Sequence, residues 1–378
     1  MKTLCPPPPG VTLEEAEEKQ KGGHKVMITI GVDFHKRTSS YCVFDAKGEK
    51  MKQAKIENKP ELVQQFLGDL TGPKRLAMEA TRNWGLFHQL VEPHVDEFLL
   101  GHPRKMKLIT ESENKHDRKD AELIGQLAQT SFFPQAYVSS PDVRQLRSLL
   151  RFRNFLVRQR AAIRNQVQIL LDRNLWPCER PTSFKNIFCV RGIRWMKQLK
   201  LPDRERFILD QALLTFEQLS TQIESHNAMI VQQAPQLPDL IWLKQVPGFR
   251  KGGVNSYIVL LELADIRRFK KAKHFAHYAG LIPSEHSSGD NHRTGRLVKE
   301  ANRWLRTALI ESSLAAIRVD AGLKAYYQTV KKRAGSGAAV IACARKLSYA
   351  VYHVLKDKTA YRPFDPPATV FAPCSIPQ

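Results

Sequence analysis

The sequence predicts an α/β domain followed by two mainly α-helical regions. Apolar strand patterns alternate with helical patterns through residues 25–138, which is typical of an α/β sandwich. Two long helical patterns dominate residues 139–236, and shorter helical patterns dominate residues 237–360. Residues 1–24 and 361–378 combine proline runs with small or polar residues, so we expect loose tails there.

Five strands and three helices are predicted in the α/β domain. Apolar runs predict the strands, which are VMITIGVDF, two strands around the Lys47-Gly48 turn of SSYCVFDAKGEKMKQAKIE, RLAMEA and EFLLGH. Helical apolar spacing predicts the helices, which are KPELVQQFLGDL, NWGLFHQLVEPH and DRKDAELIGQLAQ. The last of these helices begins near Asp117.

Two long helices are predicted in residues 139–236. The first extends from Pro141 to about Asn174 with one apolar side, and the second covers about 203–232 with apolar residues in heptad-like steps. A loop rich in proline, cysteine and aromatic residues, WPCERPTSF, leads through residues 184–200 to the second helix. Two such helices form either a hairpin within one chain or a coiled-coil dimer stalk, and the sequence leaves both open.

The first long helix carries a stripe of arginines. Eight arginines and no lysine occupy residues 141–175, where only Asp142 and Asp172 offset their charge. A solvated face is the ordinary explanation of a charge run, but an uncompensated stripe repels itself unless an anion lies along it. We therefore predict nucleic-acid contacts along this face. The residues concerned are Arg144, Arg147, Arg151 and Arg158. Three further arginines fall on the apolar side, where a guanidinium needs a partner; they are Arg153, Arg160 and Arg164.

The C-terminal region is predicted as helices separated by polar turns. QVPGFRKGGVNSYIVLLELADI resembles a helix-hairpin-helix, whose turn amides meet nucleic-acid phosphates, although Arg250 stands where a second glycine is common. After HFAHYAGLIP the sequence predicts a polar loop of about 15 residues, a helix from about Lys299, and a final amphipathic helix over 338–357.

The charge balance indicates a polyanionic partner. Lys and Arg number 59 against 37 Asp and Glu, which gives a formal charge of +22. Nucleic acid is the leading candidate, because a membrane surface is normally met beside an amphipathic or lipidated anchor, and no such anchor is evident. No apolar run approaches the ~20 residues of a membrane span, and no secretion segment is evident, so we expect a cytoplasmic protein. Six scattered cysteines lack zinc or disulfide spacing and are expected to stay reduced.

Four carboxylates are the candidates for catalysis. Asp33 and Glu79 stand where apolar strand patterns predict burial, and a buried carboxylate needs a cation or hydrogen-bond donors. Asp117 and Asp120 are three residues apart on a predicted helix, so they share one face. Hard divalent cations take such oxygen ligands and leave coordination positions for phosphate. We predict that the four carboxylates hold Mg²⁺ or Mn²⁺ against a phosphodiester.

Three motifs carry a resemblance to a known family. IGVDFHK, AMEATRNWG and HDRKDAELIG resemble, in order and spacing, the DEDD signature of RuvC-like insertion-sequence transposases of the IS one-ten family, relatives of Piv-type DNA invertases. The likeness covers about residues 25–360. It implies a RuvC/RNase H-like fold for residues 25–138, a helical coiled-coil middle for 139–236 and a mainly α-helical transposase domain for 237–360. The signature positions fall on Asp33, Glu79, Asp117 and Asp120.

The same resemblance assigns a nucleophile in the C-terminal domain. AGLIPSEHSSGDNHRTGRLVKEANRWLR is similar to the family's loop and basic helix, in which a serine directly before a glycine attacks DNA. That serine corresponds to Ser288, and the adjacent Ser287 stays open as the alternative. Without the resemblance, HSSGD reads as an ordinary turn. Nearby cations are expected to hold phosphate oxygens; they are Arg293, Arg296 and Lys299.

The resemblance implies a recombinase that cuts double-stranded DNA through a covalent phosphoserine intermediate and rejoins it. It also implies a homodimer or homotetramer, action at the prokaryotic nucleoid, and a noncoding bridge RNA whose loops pair with donor and target DNA. Two other functions stay open on the residues themselves. In one, the carboxylates act alone as a junction-resolving nuclease by water attack, and Ser288 is structural. In the other, the chain binds nucleic acid without catalysis.

Overall fold

The computed structural model describes residues 27–110, 117–175, 179, 181, 184, 186–233, 237–250, 253–288, 291–298 and 300–364. The chain divides into two compact units, Met1–Ser139 and Ser140–Gln378. The predicted N-terminal tail lies outside the described residues, as does the C-terminal tail from residue 365 onward. No helix among the described residues is long and apolar enough to cross a membrane.

The first unit contains a five-stranded mixed sheet flanked by helices. Its elements in chain order are β1 (Ile28–Phe34), β2 (Thr38–Phe44), β3 (Lys50–Glu57), α1 (Pro60–Gly68), β4 (Lys74–Glu79), α2 (Trp84–Val91), β5 (Glu97–Gly101), α3 (Pro103–Thr110) and α4 (Asp117–Gln129). The strand order is β3-β2-β1-β4-β5. Strand β2 is antiparallel to β1 and β3, whereas β4 is parallel to β1 and β5. The predicted alternation of strands and helices in a mixed α/β domain is confirmed.

Successive side chains along each strand point to opposite faces of this sheet, so the two faces carry different residues. One face carries the large apolar side chains of β1, β2 and β4, and these pack against α1 and α2; the buried members include Ile30, Val32, Tyr41, Val63, Leu67, Leu76, Met78 and Phe87. The opposite face carries smaller residues, and α4 covers it; this cluster includes Ala77, Leu99, Ile124 and Ala128. Small residues on that face allow α4 to approach the strands closely.

The second unit is mainly helical. Its elements in chain order are α5 (Pro141–Asn174), α6 (Val190–Gln198), α7 (Asp203–Gln232), α8 (Leu240–Leu243), α9 (Val254–Leu263), α10 (Ala272–Tyr278), β6 (Pro283–Ser288), β7 (Asn291–Leu297), α11 (Arg303–Val319) and α12 (Ala321–Asp357). Helix α12 is kinked at Gly335, where the backbone leaves the helical region with φ 84° and ψ 168°. The main core joins residues of α9, α11 and α12.

The two long helices pack against each other within the chain. Helix α5 begins where the Ser140 hydroxyl accepts a hydrogen bond from the Val143 amide, with proline at the first helical turn. Apolar residues of α5, α6 and α7 share a cluster that includes Val167, Leu171, Met196, Leu209 and Leu213. The three arginines on the apolar side of α5 bond to polar side chains. The pairs are Arg153 with Asn227, Arg160 with Ser220, and Arg164 with Asn186.

Local structure differs from the sequence prediction at two places. Helix α6 forms within residues 184–200, where the sequence predicted no helix, because its short apolar face, including the fully buried Met196, packs against α7. The predicted polar loop after α10 forms the antiparallel hairpin β6–β7, and the following helix begins at Arg303 rather than near Lys299. Backbone hydrogen bonds can hold a two-stranded hairpin that has no alternation of apolar and polar residues, so the polar sequence gave no signal for β6 and β7.

Candidate active site and nucleic-acid interface

Two of the predicted carboxylates lie at the ends of adjacent parallel strands. The register of β1 with β4 pairs Gly31 with Ala77 and Val32 with Met78, so Asp33 and Glu79 come next in line. Neighbouring strands lie about 4.8 Å apart, and residues two apart share a face. Asp33 is therefore on the face of Gly31, Glu79 is on the face of Ala77, and both acids are partly buried. The two carboxylates share one end of one sheet face.

Helix α4 lies against that face at close range. A Cβ added to Gly31 would be 2.7 Å from the Cα of Gly125, and closer still to the carbonyl oxygen of Ala121. Near the other end of the helix, the Arg75 guanidinium donates a 3.2 Å hydrogen bond to the carbonyl oxygen of Ala128. Because Ala128 lies at the level where β4 begins and Ala121 lies further along, α4 runs antiparallel to β1 and β4.

This direction brings the start of α4 to the ends of the strands. From Arg75 to Glu79 the strand rises about 13 Å, at ~3.3 Å per residue. From Ala128 back to Asp120 the helix rises about 12 Å, at ~1.5 Å per residue. Asp120 is thus level with Glu79, and it is partly buried. Three of the four predicted acids are brought to one end of the same layer.

The fourth acid, Asp117, is the first residue of α4, one turn before Ala121, but its side chain lies outside the described residues. Among the side chains that the structure does describe, no three from His, Cys, Asp and Glu are grouped closely enough to hold a metal ion. The donor set at this end of the sheet consists of carboxylates, the ligand type that Mg²⁺ and Mn²⁺ prefer.

A histidine and a basic cavity adjoin Asp33. The Nε2 atom of His35 lies 2.8 Å from Oδ2 of Asp33, whose side chain is 18% exposed. Next to this pair is a cavity of about 390 Å³, and its lining residues are Phe34, His35, Lys36, Thr81, Arg82 and Asn83. Phe34 is the last residue of β1, and the other lining residues come shortly after β1 or β4 in the chain. The sequence prediction missed Lys36 and Arg82, although their positions just after the two acid-bearing strands are a usable signal.

The predicted nucleophile belongs to the hairpin of the second unit. Ser288 is the last residue of β6 and pairs with Asn291, the first residue of β7. Arg293 and Arg296 are also in β7. The side chains of these three residues, together with Lys299, lie outside the described residues. Their roles therefore stay predictions.

Two arginines of the α5 stripe have an interior counter-ion. Glu262 of α9 is buried with a side chain only 4% exposed. It accepts hydrogen bonds from Arg151 Nε and Nη2 at 2.9–3.0 Å and from Asn302 Nδ2 at 2.8 Å. Arg147 lies 3.9 Å from the same carboxylate and donates to the carbonyl oxygen of Leu261 at 2.7 Å. Burial lowers the pKa of Arg147, and Glu262 opposes that shift.

Glu262 therefore compensates charge that the sequence of α5 alone left unbalanced. Its contacts attach α5 to α9, which is a structural role for Arg147. Arg151 also faces outward, with a side chain 46% exposed, and its guanidinium lies 6.0 Å from the ring centre of Trp304. Arg158 lies over the same ring at 5.5 Å and is exposed. Of the four predicted contact arginines on α5, Arg151 and Arg158 are the exposed ones, whereas Arg144 and Arg147 are partly buried.

Two family models match the chain. Residues 30–175, which include the sheet, α4 and α5, match a model for DEDD transposases, and residues 242–328 match "Transposase IS116/IS110/IS902 family". These matches show that the chain is a transposase, a class of enzyme that cuts and rejoins DNA.

Curated relatives agree over most of the chain. A "Probable family 20 transposase" of Pseudomonas aeruginosa is 27% identical over 66% of this chain and 75% of its own length. The transposase for insertion sequence element IS1111A of Coxiella burnetii is 22% identical over 91% of this chain and 94% of its own. The pilin gene-inverting protein of Moraxella bovis is 30% identical over 38% of this chain and 45% of its own. The chain belongs to the IS110 family of insertion-sequence transposases.

Proposed function

We propose that this transposase recombines DNA by joining two chemistries, a carboxylate-held divalent cation and a serine nucleophile. The observation that supports the first is the alignment of Asp33, Glu79 and Asp120 at one end of the sheet face covered by α4. Carboxylate oxygens at one end of a sheet face are the ligand type that Mg²⁺ and Mn²⁺ prefer.

The cation would be held by Asp33, Glu79, Asp117 and Asp120. Mg²⁺ or Mn²⁺ bound there would polarise the scissile phosphate and stabilise the charge that develops on its oxygens. His35 orients Asp33 through the 2.8 Å contact between Nε2 and Oδ2.

The basic cavity next to Asp33 holds the DNA backbone in this proposal. Lys36 and Arg82 supply cations, and Thr81 and Asn83 supply hydrogen-bonding groups, in a space of about 390 Å³. Phosphate oxygens prefer such charge-assisted donors. A phosphate held there would lie directly beside the acidic end of the sheet, which is where cleavage requires it.

Ser288 supplies the second chemistry. The serine hydroxyl loses its proton as its oxygen bonds to phosphorus, the bond from phosphorus to one sugar oxygen of the DNA breaks, and that oxygen takes up a proton to become a free hydroxyl. A hydroxyl of the new partner strand then loses its proton as it displaces the serine oxygen from phosphorus, and serine regains a proton. Each step exchanges one phosphoester for another, so rejoining needs no external energy source. The name of the Moraxella relative, a gene-inverting protein, describes a rearrangement of this kind.

We further propose that target choice is delegated to a bridge RNA that pairs with both DNA partners, and that the active protein is a homodimer or homotetramer acting on nucleoid DNA. The charge of +22 suits two polyanionic ligands. If base pairing with the RNA reads the DNA sequence, the protein needs to recognise only the backbone and the shape of the nucleic acid.

The test is an adduct assay with element-end DNA, RNA and Mg²⁺. We expect a covalent protein–DNA adduct from the wild-type chain, no adduct from Ser288→Ala, and an adduct from Ser287→Ala. Asp120→Asn should abolish adduct formation while leaving DNA binding intact, because it removes a metal ligand and no phosphate contact.

Each failure has a separate meaning in this assay. Free nicked DNA that persists in Ser288→Ala identifies a nuclease that uses water and contradicts the serine step. Adduct formation that persists in Asp120→Asn and in EDTA contradicts the metal site. DNA cleavage that proceeds at the full rate without RNA contradicts the proposal that an RNA selects the target.

A further inference from the structure

A row of flat side chains lies on the outside of the second unit. Phe152 and Phe155 of α5 have ring centres 5.9 Å apart, with an interplanar angle of 32°. Phe152 also lies 5.5 Å from the ring of His226 on α7, at 34°. On the other side, Phe155 neighbours Arg158 at helical spacing, and Arg158 lies over the indole of Trp304 on α11. We name these five residues the stacking surface.

Two rings of the stacking surface are open to solvent, and those of His226 and Trp304 are partly buried. Phe152 is 52% exposed and Phe155 is 44% exposed, so neither side chain belongs to the core. Exposed aromatic residues that touch one another mark a binding surface more often than isolated ones do. The ring plane of Phe152 differs by 32° from that of Phe155 and by 34° from that of His226, so these rings are closer to parallel than to perpendicular.

The same row is bordered by fixed positive charge. Arg158 is held over Trp304, and Arg151, one helical turn before Phe155, is anchored by its bonds to Glu262. Guanidinium groups held in place lose little freedom when they meet an anion. Aromatic faces bordered by arginine are the two elements with which proteins hold single-stranded nucleic acid, since bases stack on the rings and phosphates meet the cations.

We propose that the stacking surface binds the unpaired bases of a single DNA strand. The chain belongs to a class that cuts and rejoins DNA, and exchange of strands between duplexes releases strands whose bases are unpaired. A second copy of this chain fits less well, because two surfaces that both carry Arg151 and Arg158 would bring like charges together. The proposal rests on DNA as substrate, but not on the cation, the serine or the guide.

The experiment measures the affinity of a fluorescent single-stranded DNA by anisotropy in EDTA, so that no cleavage occurs. Phe152→Ala/Phe155→Ala should bind the single strand on the order of 10- to 100-fold more weakly, because two stacking contacts are lost. Blunt duplex DNA should bind the double variant as well as it binds the wild type, since paired bases cannot reach the rings.

Two further variants separate stacking from simple apolar contact. Phe152→Leu/Phe155→Leu keeps apolar area but removes the ring faces, so it should bind as weakly as the alanine pair. Phe207→Ala is the matched control, because Phe207 lies on the same helix pair and is 66% exposed but is outside the stacking surface. It should bind the single strand like the wild type. Circular dichroism melts confirm that each variant is folded.

Wild-type single-strand affinity in Phe152→Leu/Phe155→Leu would overturn the proposal, because it would show that binding does not need the aromatic ring faces. A change of oligomeric state by light scattering, with unchanged single-strand affinity, would assign the surface to a second copy and also overturn it. The last measurement repeats the affinity experiment with an RNA strand of the same sequence. Loss of RNA affinity with unchanged DNA affinity would contradict the assignment to DNA.

Discussion

The closest approach between the sheet and α4 is at Gly31, which makes this glycine the most sensitive test of the acidic site. The substitution Gly31→Ala places a Cβ 2.7 Å from the Cα of Gly125, whereas ordinary contact begins at 3.4 Å. We predict that α4 moves outward by at least about 0.7 Å, the difference between those distances, because the Cβ would lie closer still to the carbonyl oxygen of Ala121 and backbone atoms cannot rotate away. Asp120 then moves away from Asp33 and Glu79.

The expected effects follow from that displacement. A misplacement of about 1 Å in a catalytic group costs on the order of 100-fold in rate, so strand cleavage with Mg²⁺ should fall by roughly 10- to 100-fold. Overpacking costs about 1–3 kcal/mol of stability, which corresponds to a fall of roughly 3–12 °C in Tm for a unit of this size. Cleavage is measured below the Tm of the variant, so that lost activity is not lost folding.

Gly68→Ala is the matched control. No atom lies within 4 Å of a Cβ built at Gly68, which ends α1. Alanine there should raise stability by about 0.4–1 kcal/mol and leave cleavage unchanged, because it restricts only the unfolded chain. If Gly31→Ala keeps wild-type Tm and cleavage, α4 does not lie against β1 as described, and the argument for a shared acidic site fails.

Three further predictions concern the second unit. Glu262→Gln should lower the free energy of unfolding by about 3–5 kcal/mol in urea titrations, because two arginines lose a buried counter-ion. The control is Glu217→Gln at an exposed ion pair, which should cost less than about 1 kcal/mol. Equal losses in the two variants would contradict the structural role of Glu262. Burial raises the pKa of the Cys343 thiol to about 11. Alkylation of Cys343 in the native protein at pH 8 should therefore be much slower than alkylation in urea. The stabilising effect of burying the neutral thiol should be present below pH 9 and lost as the pH rises through 11. A native alkylation rate equal to the rate in urea would refute the burial of Cys343. Gly248→Ala should destabilise by about 1–3 kcal/mol, since Gly248 has a φ of 91° and its Cβ would meet the backbone of Ser312; wild-type stability in thermal melts would rule out this packing.

The sequence by itself determined the local elements of the first unit and the candidate acids. Apolar alternation around VMITIGVDF and RLAMEA predicts strands without any knowledge of their neighbours, and both form. Asp33 and Glu79 were recognisable because a carboxylate interrupts a pattern that otherwise calls for burial. The charge of +22 indicated a polyanionic partner, and charge balance does not depend on the fold.

Only the tertiary structure decided how these pieces meet. Strand register and the direction of α4 depend on contacts between residues distant along the chain, such as Arg75 with Ala128. The partner of Arg151 is Glu262, which lies 111 residues away, so no pattern within α5 reveals it. A helical periodicity shows which side of a helix carries charge, but the electrostatic balance of that side depends on what packs against it in three dimensions.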